Sequence, residues 1–254
     1  MSGSTILEGR GVLKNFGGLC AVDQVDFRVD EGEIVGLIGP NGSGKTTLFN
    51  CITGVEKVDG GEILFKGENI TEDKPYQIAR RGLARTFQVI RVYRDLTVEE
   101  NLLLSRQWGE VPTLRSFTQA DPSLHDKAAE IADFLLLGHH LHEKAGILSG
   151  GQRRLLELGM TLMPDPDLIL LDEATSGINP TLIQTIKDRI REMNGRGLTL
   201  MLVEHDIRFI SDLCDRVIVL NYGKKMADGT PDEIKSDERV LEAYFGDDGG
   251  SDVD

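Results

Sequence analysis

Ile34-Val35-Gly36-Leu37-Ile38 runs directly into Gly39-Pro40-Asn41-Gly42-Ser43-Gly44-Lys45-Thr46, and this junction constrains the chain more than any other stretch. A short, continuous apolar run is the pattern of a strand buried on both faces. The octet fits G-x-x-x-x-G-K-[ST] without a mismatch. Glycines let consecutive backbone N–H groups turn toward phosphate oxygens, and a helix beginning where the loop ends adds its positive N-terminal dipole. That helix is expected from about Thr46 to Ile52. In such a loop Lys45 bridges the outer phosphates of a nucleotide, and the Thr46 hydroxyl ligates Mg²⁺.

The remaining pattern is that of an α/β chain. Ile6–Val12, Ala21–Val29 and Glu62–Phe65 read as strands in the first quarter. Residues 74–148 change to helical apolar spacing, in Ile78–Gly82, Val98–Arg106 and Ser123–Leu137, with Pro112 and Pro122 as breakers. This stretch reads as a helical lobe inserted into the core. Beyond Gly151, helices Gln152–Met163, Thr181–Met193 and Ile207–Leu213 alternate with strands Leu168–Leu171, Leu198–Val203 and Val217–Leu220, the signature of parallel βαβ units.

Composition removes several function classes. With 28 Lys plus Arg against 42 Asp plus Glu, the formal charge is −14, which disfavours a general nucleic-acid binder. Apolar runs such as Leu168–Leu171 fall far below the roughly 18 residues needed to span a bilayer. No charged-then-apolar leader opens the chain, so a cytoplasmic protein is expected. Cys20, Cys51 and Cys214 form no CxxC pair and read as small buried hydrophobes. The acid excess, the scarcity of Lys relative to Arg and the Gly- and Asp-rich end, residues 246–254, fit a halophilic microbe and a flexible acidic tail. His139-His140-Leu141-His142 fits no standard closed metal site and reads as a solvated loop.

Two further motifs carry chemistry. Leu168-Ile169-Leu170-Leu171 delivers Asp172 and Glu173 to the C-terminal edge of a parallel strand. There Asp172 can hold Mg²⁺, and Glu173 can orient and deprotonate an attacking water. Leu148-Ser149-Gly150-Gly151-Gln152 sits immediately before a helix, making a second anion-receptive N-terminus. One ATP has one terminal phosphate. The second loop is therefore expected to complete a site in another subunit.

With LSGGQ at 148–152, the chain resembles ATP-binding cassette (ABC) ATPases over roughly residues 5–245. Phe16-Gly17-Gly18, Gly82-Leu83-Ala84-Arg85-Thr86-Phe87-Gln88 and Glu242-Ala243-Tyr244-Phe245-Gly246 look most like the ATP-binding subunits of branched-chain amino acid importers. The resemblance implies an α/β P-loop NTPase core with a mainly parallel sheet, an N-terminal antiparallel β part and a helical subdomain at about 89–150, all within one domain, residues 1–245. It implies ATP and Mg²⁺ as cofactors. Nucleotide contacts would come from Phe16, stacked on adenine, from Gly39 through Thr47, from Gln88, and across a dimer from Ser149, Gly150, Gly151 and Gln152. Lys45, Glu173 and the switch histidine His205 would be catalytic, with Thr46, Gln88 and Asp172 at the metal. Ser176-Gly177-Ile178-Asn179-Pro180 matches the loop that crosses the dimer interface.

The same resemblance implies a second cassette ATPase, identical or paralogous, joined head to tail. It also implies transmembrane permease subunits at the inner face of the membrane and, indirectly, an extracellular solute-binding protein. Two positions depart from the importer pattern: Ala174 stands where Pro is usual, and Gly150 where an aromatic is frequent. Neither touches a phosphate-contacting group. A lipopolysaccharide-type exporter ATPase and a soluble cassette of iron–sulfur cluster assembly are the alternative readings.

Overall fold

The computed structural model describes residues 4–86, 92–106, 122–173, 180–204 and 207–245. The chain divides into two compact units, residues 1–78 with 199–254, and residues 79–198. It is an α/β protein with an N-terminal antiparallel sheet, parallel strands and helices.

In the first unit, β1 (Thr5–Phe16) and β2 (Leu19–Asp30) form a long antiparallel hairpin. With β4 (Gly60–Phe65) and β5 (Glu68–Asn69) it makes a sheet of order β2-β1-β4-β5. In β2, buried Val25, Phe27 and Val29 alternate with exposed Gln24, Asp26 and Arg28, the alternation of a sheet with one covered face. β3 (Ile34–Ile38) lies between β8 (Thr199–Val203) and β9 (Arg216–Asn221), parallel to both. Having neighbours on both edges and covered faces explains why all five residues of β3 are buried and apolar or glycine. β10 (Lys224–Gly229) pairs antiparallel with β9.

α1 (Lys45–Ile52) follows the loop after β3 and buries Leu48, Phe49 and Ile52. α2 (Pro75–Arg80) stands at the boundary of the two units.

The second unit holds β6 (Leu83–Arg85), parallel to β7 (Leu168–Asp172). In it α3 (Val98–Ser105), α4 (Pro122–Phe134) and α5 (Gly150–Leu162) pack on one another. Gly159 of α5 makes this possible: an added Cβ would meet Leu135 at 2.8 Å and Leu102 at 3.0 Å. α6 (Pro180–Gly195) follows β7. The first unit is completed by α7 (Ile207–Leu213), α8 (Pro231–Ser236) and α9 (Glu238–Phe245).

Two expectations are corrected. The helix expected at Ile78–Gly82 ends at Arg80, Gly82 takes φ 101°, and Leu83–Arg85 is a strand inside the stretch read as helical. Three residues are too few to show a period-two pattern. β10 also escaped, because its Lys-Lys-Met-Ala-Asp-Gly sequence carries the charges of an edge strand rather than an apolar alternation.

Arg216 ties the two sheets of the first unit together. Its Nε donates to Glu33 Oε1 at 2.7 Å, its Nη1 to Asp228 Oδ1 at 2.7 Å and its Nη2 to the Arg28 carbonyl of β2 at 2.6 Å. Removing it leaves two partly buried carboxylates and a carbonyl without this donor. Arg216→Met is expected to cost about 2 kcal/mol, lowering the thermal midpoint by roughly 4–8 °C. A calorimetric midpoint within about 1 °C of the parent would contradict this.

Candidate nucleotide-binding site

The loop between β3 and α1 is shaped by contacts no side chain would permit. A Cβ on Gly39 would stand 2.1 Å from the Leu220 carbonyl oxygen, and one on Gly44, at φ 102°, would stand 2.3 Å from that of Ala21. The Gly223 N–H donates to the Ser43 carbonyl at 3.0 Å and fastens the loop to the β9–β10 turn. α1 begins with no side-chain cap and no acid in its first turn. Its N-terminal amides therefore present a positive end to an anion. Lys45 is 6 % exposed, and its Nζ donates to the carbonyls of Gly39 and Pro40 at 2.8 and 2.9 Å. The Thr46 side chain is exposed, while Thr47 is half-buried. A cavity of about 460 Å³ is lined by Pro40, Asn41, Gly42 and Ser43 together with Tyr222 and Glu242.

Phe16 closes β1 at the hairpin tip, opposite Leu19, and remains 46 % exposed. Lys14 Nζ lies 5.1 Å from its ring centroid. An exposed aromatic face beside a cation suits stacking on a base more than core packing. Burial pushes the Tyr244 phenol up to about 12, against an opposing pull from the Gly39 backbone, so it stays protonated. Burial likewise pushes the Cys51 thiol on α1 up to about 11, in keeping with a packing role.

In the second unit, β7 ends in Asp172, which is 2 % exposed. Its Oδ2 accepts from Arg85 Nη2 at 2.7 Å, and its N–H donates to Thr86 Oγ1 at 3.1 Å. Arg154 Nη2 donates to the carbonyls of Asp172 and Glu173 at 2.7 and 2.6 Å, while Arg154 Nη1 meets Glu157 Oε2 at 2.7 Å. Sequence reasoning missed Arg85, Thr86 and Arg154. The one available signal was Arg154 and Glu157 at i, i+3 inside the apolar stretch Leu155-Leu156-Leu158, the spacing of an ion pair on a buried face.

Ser149 caps α5. Its Oγ accepts from the Gln152 N–H at 3.2 Å, and Gln152 Oε1 accepts from the Ser149 N–H at 2.9 Å. Capping uses an oxygen lone pair of Ser149 and leaves the hydroxyl proton to donate to an anion. Gly150 is exposed and Gly151 half-buried. Gln152 Nε2 lies 3.2 Å from His140 Nε2, and His140 Nδ1 meets Glu143 Oε2. With the Gln152 amide fixed by its cap, the His140 proton belongs on Nδ1. The histidine segment is thus partly engaged with the 148–152 turn rather than wholly solvated. Gln88, His205 and residues 174–179 lie outside the described residues.

The family described as "ABC transporter" matches residues 22–176, more than half of the chain. The chain belongs to the ABC transporter family. Residues 224–250 also match the family described as "Branched-chain amino acid ATP-binding cassette transporter". This ABC ATPase is 37 % identical over 249 residues to the high-affinity branched-chain amino acid transport ATP-binding protein LivG of Escherichia coli K12, covering 95 % of this chain and 98 % of that one. It is 36 % identical to the probable LivG of Methanocaldococcus jannaschii, covering 95 % and 97 %. Among solved structures it is similar to an ABC-transporter ATP-binding cassette in its ADP conformation, with TM-score 0.86, 35 % identity and coverage of 95 % and 99 %. A nucleotide-free cassette matches at TM-score 0.85 and 36 % identity, with the same coverage. The cassette is therefore an ATPase, the nucleotide-binding subunit of an ABC transporter, and membership implies permease partners. Among the described residues no helix is long and apolar enough to cross a membrane.

Gly44→Ala tests the steric reading of the phosphate loop. The strained φ and the Ala21 carbonyl would force the loop open, weakening ADP binding about 10- to 100-fold and lowering the thermal midpoint as well, since alanine at this φ is strained. Parent-like affinity in a calorimetric titration would refute it.

Proposed function

We propose that this cassette drives the import of branched-chain amino acids. The observation that carries the reading is the presence in one chain of two helix N-termini suited to phosphate, the loop leading into α1 and the Ser149-capped start of α5. A single γ-phosphate uses one phosphate loop, so the capped turn serves the nucleotide of a second cassette, identical or paralogous, in a head-to-tail pair. The C-terminal match at 224–250 and the names of the relatives support a branched-chain importer over an exporter or an iron–sulfur scaffold protein. The pair would sit on permease subunits at the inner face of the cell membrane, fed by an extracellular solute-binding protein.

The residues present fit Mg²⁺. Thr46 offers an exposed hydroxyl at a helix start, and Asp172 offers a carboxylate at a strand end. The ion would keep water and substrate phosphates as most of its ligands. Thr46, Asp172 and Gln88 would hold it, and the ion would neutralise charge on the β- and γ-phosphates.

This chain's own groups do the rest. Phe16 stacks on the adenine. The amides of the loop 39–47 and Lys45 hold the phosphates. Ser149, Gly150, Gly151 and Gln152 bind the nucleotide of the partner cassette. Glu173 takes the proton of the attacking water, and His205 steadies the charge that develops on the terminal phosphate. Once hydrolysis removes the phosphate shared by the two cassettes, they separate.

Glu173→Gln keeps the shape and removes the base. It is expected to retain nucleotide affinity, slow turnover by at least about 100-fold and trap the paired state. Tagged Glu173→Gln protein, captured with ATP from gently solubilised membranes, should carry multi-spanning permease subunits and a second cassette. Soluble scaffold proteins alone would overturn the importer reading, and near-normal turnover would overturn Glu173 as the base.

A further inference from the structure

Arg154 lies on α5 two residues past Gln152, and it is only 6 % exposed. A buried guanidinium needs both a counter-ion and acceptors for its remaining donors. Glu157 on the same helix supplies the charge, at 2.7 Å from Nη1. The acceptors are the two consecutive carbonyls of Asp172 and Glu173, both held by Nη2. Glu173 itself has φ 49°, a left-handed conformation that costs free energy in a non-glycine residue and persists only where the surroundings hold it. That turn ends the extended backbone of β7 at Asp172.

We propose that Arg154 is a positioning residue for Glu173: by gripping both carbonyls it holds the left-handed turn and sets the direction of the carboxylate. The inference rests on the reading of Glu173 as the base. Arg85 acts on a different group, the Asp172 carboxylate, so the two arginines divide side chain from backbone.

The test is steady-state ATPase kinetics and ADP titration of the full chain carrying Arg154→Met, Glu173→Gln or both. We expect Arg154→Met to lower kcat about 10- to 100-fold, with KM and the ADP Kd within about threefold of the parent. The double variant should turn over no more slowly than Glu173→Gln alone, because the positioned group is already gone. Multiplying losses in the double variant, or a Kd that weakens in step with kcat, would overturn the proposal. Arg154→Lys guards against misfolding: it keeps a charge for Glu157, but a single ammonium lacks the fork that serves carbonyls and carboxylate together. A smaller kcat loss at an unchanged thermal midpoint is expected. Near-normal turnover in Glu173→Gln would remove the base reading and this proposal together. A slow Glu173→Gln beside parent-like Arg154→Met and Arg154→Lys would remove the clamp alone.

Discussion

The carbonyl oxygens of Ala21 and Leu220 approach the phosphate loop so closely that only glycine passes at positions 44 and 39. These carbonyls belong to β2 and β9, far apart in the chain, so the loop's shape is a product of the whole first unit rather than of its own eight residues. The buried strand β3 fixes where the loop begins, and the apolar face of α1 fixes where it ends. Between those anchors the first-turn amides of α1 carry no side-chain cap, and the Lys45 ammonium is folded back onto the loop's own carbonyls. A polyphosphate meets a site whose N–H groups are already arranged. Little ordering then remains to be met on binding.

The net charge of −14 does not oppose this. Exposed charges beyond a Debye length are screened, whereas the loop amides and Lys45 act at hydrogen-bond distance in a partly desolvated site. The second unit uses buried charge differently. Arg85 with Asp172 and Arg154 with Glu157 are nearly excluded from water, and such pairs are weak sources of net stability. Their geometry matters more. One holds the acidic strand end by its carboxylate, and the other holds the same strand end by its backbone.

Much of this was legible in the sequence. The unbroken match at Gly39–Thr46 announced the loop, the apolar run Leu168–Leu171 announced a strand ending in Asp172, and Leu148–Gln152 ahead of a helical pattern announced an anion-receptive helix start. Each of these is local chemistry with a fixed spacing. What escaped depends on tertiary contact. Leu83–Arg85 is a strand only because β7 lies beside it. Nothing in a linear pattern shows that the fold buries Arg85 against Asp172, or that Glu173 turns left-handed. Phe16 was legible by resemblance, and its exposure at the hairpin tip gives that assignment a physical footing.

Binding of the polyphosphate by the α1 amides and Lys45 is the claim on which the others stand. Calorimetric titration of the full chain with ADP and Mg²⁺, beside Lys45→Ala, tests it most directly. One site per chain is expected in the parent, with affinity about 100-fold weaker in the variant, since a charge-assisted hydrogen bond to phosphate is lost. Equal affinities would place the nucleotide elsewhere and contradict the account.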